Sequence, residues 1–318
     1  MTALCVSLPP DQLSLAAHRE YGIELKFDWE HHDLLAGETN LGEVIADAGI
    51  DPDRIQSIHL PPGLERRGDR IGMAVTRSNR AAIVEFVHEQ LGVVPDAVLV
   101  AHTPKRFEYA DLLDVIEGIL AATDRRLTIE NAAVESRWYR PEEIAFFAIA
   151  AESNPALDNL GLTVDSAHLP SPSVDASPFE LDEEALETLE NRLRDEGYAL
   201  PEAYVEQVVN RSPPDSDHWL VETNELRSED PYAPLLKTLW LCNDRVWNVH
   251  LNDPQTDDVP RPDSRGVRTG TGSQVGLHTT LDQLRCHEAT VVLEPGPLLG
   301  SPTDLHERVD LLADAIRE

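Results

Sequence analysis

Short apolar, β-branched runs recur along this chain and alternate with longer amphipathic stretches, and that rhythm limits the fold more than any single motif does. The strand-like runs are Ala3–Leu8, Ile23–Phe27, Ile55–Leu60, Ala97–Ala101, Leu127–Glu130, Gly161–Asp165, Val246–His250 and Thr290–Glu294. Helical patterns lie among them at Ser78–Leu91, Tyr109–Ala122 and Pro141–Ala151, with one more at Thr303–Arg317 after the last run. Pro141 stands just inside its helix start, where its missing N–H costs nothing. Strands alternating with helices build right-handed βαβ units and a parallel sheet. The pattern therefore predicts an α/β protein, a single (β/α)8 TIM barrel occupying residues 1–318, a length that fits a barrel of about 250 residues plus insertions. An open doubly wound sheet is the competing arrangement, but no GxGxxG or phosphate-loop sequence follows an early strand.

One spacing breaks the rhythm. The sixth and seventh runs are about 80 residues apart, far more than one crossover helix needs. An acidic insertion at about 171–232 fills the gap. It opens on the Pro/Ser stretch from Pro170 to Pro178, continues as an acidic helix around Leu181–Glu196 and turns again at Ser212–Pro214. Loops after barrel strands overhang the active face, so this segment reads either as a surface elaboration or as a lid.

The strand ends carry the chemistry. QSIH closes on His59, VLVAH on His102, LTIE on Glu130, LTVD on Asp165, WNVH on His250 and VVLE on Glu294. Barrel closure would gather these ends on the C-terminal face, where active sites are built. A lone His or Glu at a strand end is commonly a capped or solvated residue; six in register form a ligand set. His168, three residues beyond Asp165, adds a donor in the following loop. Mixed carboxylate and imidazole ligands suit a divalent metal, Mn²⁺, Zn²⁺, Mg²⁺ or Co²⁺, and the lack of thiolate argues against structural zinc.

Composition excludes several classes. Fifty-eight acidic residues against 26 basic ones give a net charge of −32, spread along the chain without an acidic tail. Only Lys26, Lys105 and Lys237 are lysines. Such a distribution fits a halophilic chain, because concentrated salt screens self-repulsion. It also opposes nucleic-acid binding at low ionic strength. The longest apolar run, Ile144 to Ala151, is far short of the roughly 20 residues of a membrane span. The opening MTALCVSLPPDQLS has no basic stretch or long apolar core of a secretory leader. Cys5, Cys242 and Cys286 are odd in number and widely spaced, giving no disulfide framework. A cytoplasmic location is expected.

The ordered strings LTIEN, GLTVDSAH, VHLND, a downstream GTG and VVLE resemble the xylose isomerase-like TIM-barrel superfamily, which includes endonuclease IV and sugar isomerases and epimerases. The resemblance covers nearly the whole chain in order, with the insertion outside it. It implies that Glu130, Asp165, His250 and Glu294 share a metal, with Glu130 and Glu294 as the catalytic pair. Against the endonuclease IV pattern, His59 and His102 match extra histidines of a first metal, while His168 and Asp263 match ligands of a third. The next expected histidine is Arg265 here, and a guanidinium stays charged and cannot ligate. The Leu60-Pro61-Pro62-Gly63 segment also lacks the aromatic residue expected to probe DNA.

The epimerase side of the resemblance implies an arginine ahead of the GxG loop. Arg261, Arg265 and Arg268 precede Gly270-Thr271-Gly272. Asn131, Glu135 and Trp138 are similar to the loop after the first catalytic glutamate. The leading expectation is thus a metal-dependent isomerase or epimerase of a sugar or related polyol, with Arg265 on the substrate. The runner-up is an abasic-site endonuclease or other phosphodiesterase acting on DNA, in which His59, His102 and Asp263 would hold further metal. A non-catalytic barrel that binds a ligand is the third.

Overall fold

The computed structural model describes residues 3–61, 64–66, 69–104, 107–131, 140–169, 183–195, 208, 232–252, 284 and 289–294. The barrel is built from β1 (Leu4–Leu8), β2 (Gly22–Lys26), β3 (Ile55–His59), β6 (Val98–His102), β7 (Leu127–Glu130), β8 (Leu160–Asp165), β9 (Val246–His250) and β10 (Thr290–Leu293). They close in the order β1-β10-β9-β8-β7-β6-β3-β2, and every pairing in the ring is parallel. This is the expected (β/α)8 barrel. Each sequence-derived strand is present, with its ends moved by at most a residue or two. Beyond the elements named from the sequence stand two short helices, α1 (His32–Leu35) and α2 (Leu41–Asp47), a helix at Ala233–Cys242, and an antiparallel hairpin of β4 (Leu64–Arg66) and β5 (Asp69–Ile71) set after β3; α3 (Arg80–Gln90) is the expected helix at Ser78–Leu91.

Strand parity explains the polarity of the interior. Successive side chains alternate between faces, so residues two apart share a face. Ile23 and Leu25, Ile58, Ile129 and Leu127 lie outward under the helices, and all are almost fully buried. The inward positions read Glu24 and Lys26, Ser57 and His59, Thr128 and Glu130, Thr163 and Asp165, Asn248 and His250. The upper member of each pair reaches the mouth, and the lower member is a polar residue at or near zero exposure. Thr163 Oγ1 donates to Thr128 Oγ1 at 2.7 Å within that lower layer. A barrel interior is ordinarily packed with branched apolar side chains; here a polar layer lies beneath these five ends, while Val100 and Val292 hold the same level beneath His102 and Glu294.

The helical layer covers the outward faces. Helix α4 (Tyr109–Thr123) buries Leu112, Val115, Ile116, Ile119 and Leu120, the i, i+3, i+4 stripe of a helix that faces a core. Helix α5 (Pro141–Ser153) is buried nearly all round, which accounts for the apolar run Ile144–Ala151. Its second face packs on α6 (Glu183–Asp195) and on α7 (Ala233–Cys242). Two buried glutamates of its first turn have cationic partners there: Glu142 pairs with Lys237 at 2.5 Å and Glu143 with Arg192 at 3.1 Å. The acidic helix expected within the insertion is α6, and it rests on α5 through Ala185, Leu189 and Leu193. Among the described residues no helix is long and apolar enough to cross a membrane. The rest of the insertion, apart from Val208 and Tyr232, and the expected helix Thr303–Arg317 lie outside the described residues.

Candidate metal centre

Barrel closure brings the strand ends together around Glu130. Its two carboxylate oxygens face different neighbours. Oε2 lies 2.9 Å from His59 Nε2 and 3.6 Å from His102 Nε2. Oε1 lies 3.6 Å from His168 Nδ1 and 3.8 Å from His250 Nδ1. The sheet register sets this up, since His102 pairs with Glu130 between β6 and β7, and Asp165 pairs with His250 between β8 and β9. The ring of His59 stacks on that of His250 at 5.3 Å and meets His102 edge-on at 4.9 Å.

Amides fix the remaining carboxylates. The Asn131 side chain accepts from the Asp165 backbone N–H at 2.6 Å and donates to its carbonyl at 3.2 Å, tying the ends of β7 and β8. His168 Nδ1 lies 2.9 Å from the Asn131 carbonyl, and its Nε2 lies 3.5 Å from Asp165 Oδ2. Asn252 Nδ2 donates to both Asp165 Oδ1, at 3.1 Å, and Glu294 Oε2, at 3.2 Å. The other oxygen of Glu294 accepts from Lys26 Nζ. Beneath them Glu24 is completely buried. It accepts from Ser7 and Ser57 hydroxyls, each at 3.0 Å, and lies 3.1 Å from His250 Nε2.

These contacts set the charge states. Burial opposes ionisation of Glu130, yet the charges of His102 and His250 and the hydrogen bond from His59 hold it well below the usual carboxylate range. Glu294 is pulled down to about 2, burial being outweighed by Lys26 and His250. Glu24 is lowered too, against its burial, chiefly by His250. Asp165 goes the other way, raised by burial and by the neighbouring Glu294 and Glu130. His250 is raised well above its ordinary value because Glu24, Glu294 and Glu130 outweigh its burial. His168 is raised by Asp165 and Glu130 despite burial, whereas burial drops His102 to about 4.

The donor set fits a divalent cation. Ligand atoms of Glu130, Asp165 and His250 lie within 4.8 Å of one another, as do those of His59, His102 and Glu130, and those of Glu24, His59, His250 and Glu294. Two buried imidazole nitrogens in this cluster, His250 Nδ1 and His59 Nδ1, have no hydrogen-bond partner. Buried polar atoms are ordinarily satisfied, and a divalent cation bound among these carboxylates would displace a proton from such a nitrogen and satisfy it.

Of the residues singled out in the sequence, Glu130, Asp165, His168, His250, Glu294, His59 and His102 all meet at this mouth. Glu130 Oε1 and Glu294 Oε1 each lie 3.8 Å from the same His250 Nδ1. Asp263, Arg265, the GxG loop, Glu135 and Trp138 lie outside the described residues. Reading strand ends alone missed Glu24, Lys26 and Asn252. The available signal was a glutamate in the strand GIELK, two residues before Lys26 at its end and so on the same inward face.

No family model and no curated protein matches this chain. Among solved structures it is similar to 3-keto-D-glucoside 4-epimerase from E. coli in its apo form, with a TM-score of 0.49 and 13% identity over 99% of each chain. It is also similar to a xylose isomerase-like TIM barrel/4-hydroxyphenylpyruvate dioxygenase fusion protein, with a TM-score of 0.41 and 14% identity. That match covers 94% of this chain and 47% of the fusion protein.

Proposed function

We propose that this barrel is a divalent-metal-dependent isomerase or epimerase acting on a sugar or related polyol. The observation that carries the reading is the open Nδ1 of His250, buried and flanked at 3.8 Å by carboxylate oxygens from opposite neighbours, Glu130 and Glu294. Glu130, Asp165, His250 and Glu294 would hold the ion, with His168 close by. A bound divalent ion supplies Lewis acidity, polarising a carbonyl and gathering adjacent hydroxyl oxygens. A ligand set of three carboxylates and one imidazole leans toward Mn²⁺.

The residues supply the proton chemistry. Glu130 and Glu294 are ionised at neutral pH, as a base that accepts a proton from carbon must be. They enter from β7 and β10, three places apart around the ring, and so can address a substrate from two sides. One takes the proton next to the carbonyl and the other returns it. Asn252 orients Glu294 against Asp165, and His59 and His102 hold the outer oxygen of Glu130. Arg265, in the sequence that follows β9, is the proposed substrate contact.

The test is solvent-deuterium incorporation at carbon across a panel of ketoses, using Mn²⁺-loaded protein. Exchange that disappears in both Glu130→Gln and Glu294→Gln supports the reading; exchange retained in both overturns the acid–base assignment. A second reading, metal-dependent phosphodiester hydrolysis, is favoured by the His59–His102–Glu130 group, which would hold a second ion and supply a metal-activated water. Cleavage of an abasic-site duplex together with two bound ions per chain would select it.

A further inference from the structure

We propose that Glu24 is a positioning residue that fixes the tautomer of His250, so that Nε2 carries the proton and Nδ1 is the nitrogen offered to the metal. The inference rests on the metal-centre reading and adds to it a residue two positions below the ligand layer.

A neutral imidazole bears one proton, and the hydrogen bond made by one nitrogen decides the role of the other. In His250 the two nitrogens are sharply different. Nε2 lies 3.1 Å from Glu24 Oε2, while Nδ1 lacks a hydrogen-bond partner and looks between Glu130 and Glu294. An ionised carboxylate only accepts, so a Glu24 that stays ionised requires the proton on Nε2. Its surroundings keep it in that role. Ser7 on β1 and Ser57 on β3 each donate a hydroxyl to it at 3.0 Å, so three adjacent strands hold the carboxylate while it reaches across the barrel to β9. The stacked ring of His59 limits rotation of the imidazole from its other side. A carboxylate on the far nitrogen also makes a ligating imidazole more basic.

Two measurements decide the point. In Zn²⁺-loaded protein with ¹⁵N-labelled histidine, NMR should find His250 protonated on Nε2 and metal-bound through Nδ1. Calorimetric titration with Zn²⁺ should show Glu24→Gln binding about 10- to 100-fold more weakly, because its amide can either donate or accept and no longer dictates the tautomer. Glu24→Asp, one methylene short, should fall between. The loss should shrink to within about twofold in a His250→Asn background, where a through-space effect of the Glu24 charge on the ion would persist undiminished. Zn²⁺ bound through Nε2, or an undiminished loss in that background, overturns the role of Glu24 and leaves the metal centre standing. Failure of the unmodified protein to bind Zn²⁺ overturns the metal centre itself, and the donor role with it. Where Glu24→Gln does not fold, the tautomer in the unmodified protein decides alone.

Discussion

Replacing Asn252 by aspartate would put a third carboxyl where an amide now joins two. Asn252 is fully buried, and its Nδ2 lies 3.1 Å from Asp165 Oδ1 and 3.2 Å from Glu294 Oε2. At those separations and an effective dielectric of 20, each like-charge pair costs about 5 kcal/mol. The metal-free cluster escapes most of that by binding a proton, shared among the three carboxyls rather than owned by one. The unfolded chain keeps an ordinary aspartate pKa near 3.9, whereas the folded cluster holds its extra proton to higher pH. A folded pKa raised above the unfolded one loses stability as pH climbs past 3.9, at about 1.4 kcal/mol per unit. The penalty is therefore about 1.5 kcal/mol at pH 5 and about 4 kcal/mol at pH 7. Losing one of two donated hydrogen bonds adds about 1–2 kcal/mol at every pH. Urea unfolding of metal-free Asn252→Asp and unmodified protein at pH 5, 6 and 7 measures the difference. A gap that stays flat across that range, or that remains below about 1 kcal/mol at pH 7, refutes the placement of the amide between Asp165 and Glu294.

Three further outcomes follow from the geometry. Glu294→Gln should weaken Mn²⁺ binding by ~100-fold or more in calorimetry, since it removes a proposed charged ligand and the ion-pair partner of Lys26; unchanged affinity would remove Glu294 from the centre. His102 has a folded pKa of about 4 against an ordinary histidine value of 6.5, so its contribution is complete above pH 6.5 and is lost as pH falls toward 4. His102→Gln should make the metal-free stability curve flatter in that window, as read by urea midpoints, and an identical slope would contradict the burial of His102. Gly161→Ala would place a Cβ 2.3 Å from the Trp247 ring on the neighbouring strand, forcing that ring off its hydrogen bond to the Asp244 carbonyl. A loss of about 1–3 kcal/mol is expected, and a neutral result would contradict the β8–β9 register.

Much of this protein was legible locally. The barrel strands alternate apolar outward residues with buried polar inward ones, and the runs at Leu127–Glu130 and Val246–His250 match the strands to the residue because each closes on a polar residue where the chain turns. The ligand candidates were legible for a related reason: a polar residue closing such a run has to face the barrel mouth. Helix α5 was legible as a helix, but its all-round burial depended on α6 and α7 covering it, and α6 comes from an insertion whose placement no local pattern encodes. The hairpin β4–β5 was missed because two three-residue strands carry too little periodicity to register.

What the sequence determined by itself was the eight barrel strands and the polar residues at their ends, because both depend on interactions between near neighbours in the chain. Which of those residues touch was decided by closure of the ring. Glu24 and His250 are 226 positions apart and sit on strands that are not adjacent, so they meet only across the barrel interior. Nothing within reach of Glu24 along the chain marks it as the partner of an imidazole. The same holds for Lys26 against Glu294, 268 residues away, and for the amide of Asn252 shared between two carboxylates. Periodicity fixes which face a side chain takes; only the closed barrel fixes what stands opposite it, because that depends on the order and stagger of strands distant in sequence.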